Sequence, residues 1–320
     1  MFNSVRFLLI LSTMKHWIAA ARLRTLPLSI SGIILGSLIA LSEGHWDWWI
    51  FILAFLTTLF LQILSNYAND YGDGIRGTDE FRIGEKRAVA SGDISPNQMK
   101  KAIQIFSALS ATTATALVWI SFGPAQFKWV ILFLLLTIAC VWAAIKYTVG
   151  KNAYGYAGMG DIFVFLFFGI ISVWGSYTLY NHESFNFSIL LPASAIGLLS
   201  TAVLNLNNMR DIATDELAGK YTLPLRMGFQ LAKIYQSTLV LLPFVLVNIY
   251  LVIIDKVQWY YLSYLILLIP SIVLLKTIFS IKEPRLLDKE LKKVALLTLA
   301  FSLILGNYFD ALILILLYVI

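Results

Sequence analysis

The sequence predicts an all-α polytopic membrane protein with nine transmembrane helices, and three observations carry that expectation. Hydrophobic residues make up 59% of the 320 and charged residues only 13%, against roughly 45–50% and about 25% in a soluble domain. The mean hydropathy of +0.79 exceeds what the interior of a soluble chain this long can hide, so lipid has to act as solvent. Apolar runs close to the ~20 residues that a bilayer core demands of a helix recur at 25–42, 48–68, 99–121, 127–145, 161–180, 187–207, 232–254, 258–277 and 294–318.

Residues 1–13 read as an N-terminal extension ahead of an alternative start at Met14, with a cleaved signal as the other reading. Residues 14–320 then form one domain. Its lead-in, MKHWIAAARLR at 14–24, is basic and amphipathic and suits the membrane surface. Pro27, Pro192, Pro243 and Pro270 lie in or beside spans, where neighbouring helices can satisfy the carbonyls that they free. The connections after the first, third, fifth and seventh spans are short; those after the second, fourth, sixth and eighth are long, glycine-containing and basic. The N-terminus and the long loops hold 22 of the 24 Lys and Arg residues, and the short-loop side only Lys128 and Lys256. The positive-inside rule therefore places the N-terminus and long loops in the cytoplasm, and nine spans put the C-terminus outside the cell's cytoplasmic membrane.

Composition also excludes chemistry. The single cysteine, Cys140, sits in an apolar run, so no disulfide framework is possible within the chain. His16, His45 and His182 are scattered and none has a partner at metal-ligand spacing, which argues against zinc and iron centres. The net charge of +6 is distributed between the spans, a pattern of membrane topology rather than a nucleic-acid footprint.

Two polar seams break the apolar pattern, each at the cytoplasmic end of a span. Asn66, Asn69, Asp70 and Asp73 stand at i, i+3, i+4 and i+7; Asn207, Asn208, Asp211 and Asp215 stand at i, i+1, i+4 and i+8. Each set shares one side of a helix. A carboxylate near hydrocarbon costs roughly 2.5–3.5 kcal/mol on insertion scales and generally faces a cavity with a task. Clustered carboxylates call for a cation between them. Oxygen ligands without His or Cys suit Mg²⁺, which keeps several waters and bridges protein carboxylates to substrate phosphates. Arg76, Arg82, Lys86 and Arg87 follow the first seam, and Arg210 and Lys220 flank the second; such cations suit phosphate oxygens, though part of this charge is ordinary positive-inside charge. Together these describe a diphosphate site facing the cytoplasm. A third loop begins at Lys146 and Tyr147 and runs through Tyr154-Gly155-Tyr156-Ala157-Gly158-Met159-Gly160-Asp161. Its glycines allow close backbone approach and its tyrosines offer faces that can stabilise a carbocation, or else form an interfacial belt. Asp161 can also be a helix cap.

The stretches LQILSNYANDYGDGIRGTD, YGYAGMGDIFVFLFFG and LNNMRDIATDELAGKYTLPLRMG, with the opening AARLRTLPLSISGIILGS, resemble the motifs of the UbiA superfamily of intramembrane aromatic prenyltransferases, over roughly residues 14–320. Within it the likeness is to the menaquinone-pathway branch. One departure is Gly77, where the superfamily often has a further Asp; the nearest acid is Asp79.

The resemblance implies nine helices around a cavity open to the cytoplasmic loops and laterally to lipid. It implies Mg²⁺-dependent ionisation of an allylic polyprenyl diphosphate, with Mn²⁺ a possible substitute. The acceptor it implies is 1,4-dihydroxy-2-naphthoate, with carbon dioxide and diphosphate released and demethylmenaquinone formed. Carried over by position, Asn69, Asp70 and Asp73 form the first metal and diphosphate cluster, and Asn207, Asp211 and Asp215 the second. Asn208, Arg76, Arg210 and Lys220 hold diphosphate oxygens, and Tyr156 lies near the reacting carbons. Arg22, Arg24, Lys146 and Tyr147 belong to the substrate site in roles left open. A secondary transporter is the rival from another class, but it predicts acids near the bilayer midplane. A second rival keeps the fold and takes another aromatic acceptor.

Overall fold

A computed structural model describes residues 14–77, 87–182, 186–257 and 261–306. Among these residues every regular element is helical. In chain order the helices are α1 (Met14–Ala21), α2 (Leu26–Ser42), α3 (Trp48–Arg76), α4 (Pro96–Phe122), α5 (Pro124–Lys146) and α6 (Gly160–Tyr180). They continue with α7 (Phe187–Arg210), the short α8 (Ile212–Leu217) and α9 (Leu223–Met227), then α10 (Phe229–Ile253), α11 (Tyr261–Ser280) and α12 (Asp288–Gly306).

The helix boundaries follow from local chemistry. Asp47 caps α3 by accepting from the Trp49 and Ile50 amides, and Gly77 ends it in the left-handed region at φ 72°. Ser95 and Gln98 form a reciprocal capping box at the start of α4, with Pro96 in the first turn. Arg22 takes φ 49° and ψ 54°, which a non-glycine residue rarely adopts; this break bends α1 from α2 by 55°. The middle of α6, Phe165–Trp174, is wound as a π-helix, a form that often accompanies functional sites.

Seven helices, α3, α4, α5, α6, α7, α10 and α11, are each long and apolar enough to span a bilayer, and the bent pair α1–α2 raises the number to eight. The ninth expected span begins within α12, whose continuation at 307–318 lies outside the described residues. Among the described residues the spans therefore number seven, or eight with the bent pair. The first span is only 17 residues long without its lead-in, and α12 opens on Asp288, Glu290 and lysines. Ile131, Leu135, Ile138 and Trp142 of α5 are exposed, as are Ile249 and Val252 of α10 and Ile269 and Val273 of α11. Such an apolar exterior is a lipid-facing surface, and the chain is an integral membrane protein.

The main core joins α2, α6, α7, α10, α11 and α12. Close helix approach rests on small residues: a Cβ on Gly36 of α2 would sit 2.9 Å from the Ser176 Cβ of α6, the small-residue packing that membrane helices favour. A second core gathers Ala20 and Ala21 of α1, Leu64, Tyr67 and Ala68 of α3, the 88–94 turn, and Met99 and Ile103 of α4. Between these bodies a cavity of about 330 Å³ is walled by α2 through α7.

Candidate active site

The cavity hangs from the first seam. On α3 the lining residues Ala54, Thr57, Thr58, Leu61, Gln62, Ser65, Asn66 and Asn69 form one continuous helical face. Polarity rises along it towards Asn69. The opposite wall, from α6 with the loop that precedes it, is aromatic: Tyr154, Phe163, Phe167 and Phe168. Phe163 stacks on Tyr154 with ring centroids 3.9 Å apart.

Asp73 and Asp70 are placed differently. Asp73 accepts from the Tyr156 hydroxyl at 2.8 Å and from the Arg87 guanidinium at 3.1 Å. Both oxygens of Asp70 instead accept backbone amides, from Ala88 at 3.0 Å and Val89 at 2.9 Å. Asp70 therefore anchors the 88–94 turn, where the sequence places it among the metal ligands. Asn69 lines the cavity and its Oδ1 accepts from Thr148 at 3.2 Å.

At the second seam Arg210 is the hub. Its guanidinium donates to both oxygens of Asp211, at 2.7 and 2.6 Å, to Asn207 Oδ1 at 2.9 Å and to Asp288 of α12 at 2.6 Å. Arg210 is thus committed to protein carboxylates, whereas the sequence assigns it to diphosphate oxygens. Lys220 pairs with Asp215 at 3.5 Å. Asn208 Oδ1 is buried and takes no hydrogen bond among the described residues.

The third loop joins the seams. Tyr156 donates to Asp73, its ring lies under the Arg76 guanidinium at 4.1 Å, and its carbonyl accepts from the Tyr221 amide at 3.0 Å. Arg76 also donates to the Gly150 carbonyl. Arg226, which the sequence reading missed, links the loops by donating to Ala157 and Tyr221 carbonyls. Gly158, at φ +74°, lets this loop pass against the Tyr221 carbonyl, so the glycine serves loop-to-loop contact rather than a ligand. Tyr147 lines the cavity beneath both seams. Burial pushes its hydroxyl pKa up; Lys220 draws it back, and Asp215, Asp161 and Asp73 push it further. It therefore stays a hydroxyl at neutral pH. Lys146 is exposed, Asp161 accepts from Tyr235 at 3.3 Å, and Arg22 is half-buried at the α1–α2 break. The Arg24 side chain, with Asp79, Arg82 and Lys86, lies outside the described residues.

The sequence reading also missed Gln62, Ser29 and Thr25. Gln62 precedes Asn66 and Asn69 by four and seven residues, so extending the polar stripe back into the apolar run would have found it.

Among the described residues no group of three or more His, Cys, Asp or Glu side chains gathers around one point. The two seams are separate carboxamide–carboxylate pairs. Their donors are nonetheless all oxygen, which suits a hard dication shared with a phosphorylated ligand.

A chamber whose amide-bearing α3 face runs up to the first of two seams of carboxylates and guanidinium groups defines a class: integral membrane proteins that bring a charged headgroup and a greasy chain to one place. The chain belongs to the UbiA prenyltransferase family, which it matches over residues 29–299. It is 43% identical over 233 residues to a protein of Escherichia coli strain K12 named 1,4-dihydroxy-2-naphthoate octaprenyltransferase, covering 72% of this chain and 74% of that one. A Mycobacterium tuberculosis protein of the same name is 39% identical over 219 residues, covering 68% and 72%. Among solved structures, a UbiA homolog from Archaeoglobus fulgidus aligns with a TM-score of 0.66 at 15% identity, covering 92% of this chain and 98% of that one. A structure of a UbiA homolog from the same organism bound to GPP and Mg²⁺ gives 0.61 at 17%, covering 89% and 99%.

Proposed function

We propose that the protein transfers a polyprenyl group from an allylic polyprenyl diphosphate to 1,4-dihydroxy-2-naphthoate, releasing diphosphate and carbon dioxide and forming demethylmenaquinol, the hydroquinone that a separate two-electron oxidation converts to demethylmenaquinone. The observation that carries this reading is the 43% identity to the named octaprenyltransferase across most of both chains; the cavity supports it by joining a polar mouth to an apolar chamber.

A divalent cation is part of the reading, with Mg²⁺ the expected ion and Mn²⁺ its possible substitute. Asn69 and Asp73 on one side, and Asn207, Asp211 and Asp215 on the other, would hold it. When bound, the ion would neutralise charge on the departing diphosphate. Asn208 Oδ1, buried and without a hydrogen bond among the described residues, adds an oxygen with unused capacity beside the second seam. Arg76 and Lys220 add fixed positive charge at the mouth, an electrostatic stabilisation that needs no reorganisation. Below them the chamber keeps water from the allylic cation, and the aromatic wall of Phe163, Phe167 and Phe168 presents ring faces to it. Loss of carbon dioxide from the attacked ring carbon restores aromaticity.

The site would face the cytoplasm from the cytoplasmic membrane, and residues 14–320 would act as a single domain. The test supplies carboxyl-labelled 1,4-dihydroxy-2-naphthoate and a polyprenyl diphosphate to the isolated protein. One labelled carbon dioxide is expected per prenylated product. Product that retains the label moves the attack to another carbon and the protein out of the menaquinone branch.

A further inference from the structure

We propose that Gln62 and Asn66 form a phenol-reading subsite in the cavity wall, accepting hydrogen bonds from the ring hydroxyls of the aromatic acceptor. The inference rests on the reading of the protein as an aromatic prenyltransferase and names the residues that recognise the ring.

The argument is one of proton direction. Thr25 Oγ1 donates to the Arg22 carbonyl at 2.9 Å, and a carbonyl can only accept. The Thr25 proton is therefore committed, so its oxygen can only accept from Gln62 Nε2, at 2.8 Å, and from Asn66 Nδ2, at 3.3 Å. Asn66 Nδ2 also donates to the Ala21 carbonyl at 2.8 Å. These bonds fix both amide orientations, because flipping either would set oxygen against oxygen. Gln62 Oε1 then faces Ser29, whose hydroxyl donates to it at 2.5 Å.

The result is a wall that presents two carboxamide oxygens, with one Gln62 N–H left over beside them among the described residues. Asn66 Oδ1 takes no hydrogen bond among the described residues, and Gln62 Oε1 takes one of the two it can accept. Ser29, Gln62 and Asn66 all line the cavity, and all three are buried in the protein. Buried acceptors with unused capacity select ligands that carry donors. The allylic chain carries none and its diphosphate is acceptor-rich. A dihydroxylated aromatic acid supplies two phenolic O–H groups. Across the cavity Phe167 and Phe168 offer a surface on which a flat ring can lie. The acceptor is thus held through a ring hydroxyl on α3, one to two helical turns below Asn69, with the α6 rings as a surface for its face.

The test measures binding of 1,4-dihydroxy-2-naphthoate and of its two mono-methyl ethers to the solubilised protein, by displacement. Wild type should hold the dihydroxy acid at least about tenfold tighter than one of the ethers, since a site built to bond a hydroxyl rejects the analogue that lacks its proton. In Gln62→Met or Asn66→Leu that gap should fall to about threefold or less, with KM for the prenyl diphosphate unchanged. Ser29→Ala, which releases Gln62 Oε1 without emptying the wall, should alter the gap as well. Equal wild-type affinity for both ethers and the dihydroxy acid overturns the subsite without any variant. An intact gap in folded Gln62→Met and Asn66→Leu, or a change confined to the prenyl diphosphate KM, overturns it too. A protein that prenylates no naphthoate at all instead overturns the proposed function.

Discussion

Arg210 reaches from the last turn of α7 to Asp288 at the first residue of α12, with 2.6 Å between nitrogen and oxygen. The same guanidinium grips both oxygens of Asp211 and the Asn207 carboxamide. Asp288 therefore acts on the second seam at one remove: it holds the arginine that holds the seam. Asp288→Asn should weaken the arrangement rather than abolish it. The Asp288 side chain is 46% exposed, so a charge-assisted bond of this kind is discounted to about 1 kcal/mol, or roughly fivefold. The expected reading is a roughly fivefold rise in the Mg²⁺ concentration giving half-maximal rate, with kcat at saturating metal nearly unchanged.

The proposed ligands predict a sharper loss. Asp73→Ala or Asp211→Ala should abolish turnover while the protein remains folded, and a chelator should do the same to the parent enzyme. Near-normal rates in both variants would reduce the seams to polar caps at the membrane surface.

Asp70 should separate from Asp73. Asp70→Ala leaves two buried amides, those of Ala88 and Val89, without their acceptor, at about 1–3 kcal/mol each. Its signature is a melting temperature lowered by several degrees. Asp73→Asn should lose the activity, with some loss of melting temperature as well because it takes the carboxylate from the buried Arg87 guanidinium, whereas Asp70→Ala should keep turnover at temperatures where it is folded. Equal loss of turnover in the two folded variants would contradict this division of roles.

Tyr156→Phe removes the 2.8 Å bond to Asp73 and leaves the ring beneath Arg76. Turnover should fall about tenfold to a hundredfold, the worth of a hydrogen bond to a charged group, about 1.5–3 kcal/mol. Arg76→Ala, which removes the cation as well, should fall further. An unchanged rate in Tyr156→Phe would show that the hydroxyl orients nothing.

Topology can be read by labelling in a variant whose native Cys140 is replaced. Cysteines at Ser91 and Lys282 should react only from the cytoplasmic face, and one at Asn181 only from outside. Labelling of the Ser91 and Asn181 positions from one face would reverse the charge-based orientation.

Composition and periodicity made the bundle legible because lipid imposes length and apolarity on every span. The seams were legible because Asn66, Asn69, Asp70 and Asp73 break an apolar run at helical spacing. The division of labour within them was not. Asp70 and Asp73 share a helix face in sequence, yet only tertiary contact with the 88–94 turn tells the anchor from the residue bonded to Tyr156. Arg210 shows the same limit: its partner Asp288 is 78 residues away. Spacing along one helix carries no record of such a pairing. The first span was legible at 25–42, but the 55° bend that joins its lead-in to it at Arg22 was not.

The unlike walls of the cavity have a stereochemical consequence. In the proposed reaction, bond formation at the carboxylate-bearing carbon turns a flat ring atom into a stereocentre, which loss of carbon dioxide then erases. With amides of α3 and phenyl rings of α6 in the lining, a bicyclic acid that turned over would exchange its two hydroxyls and carry its carboxylate-bearing carbon away from the point of attack. One enantiotopic face of the ring therefore meets the allylic carbon in every cycle. The handedness is exercised each time and recorded in none of the product.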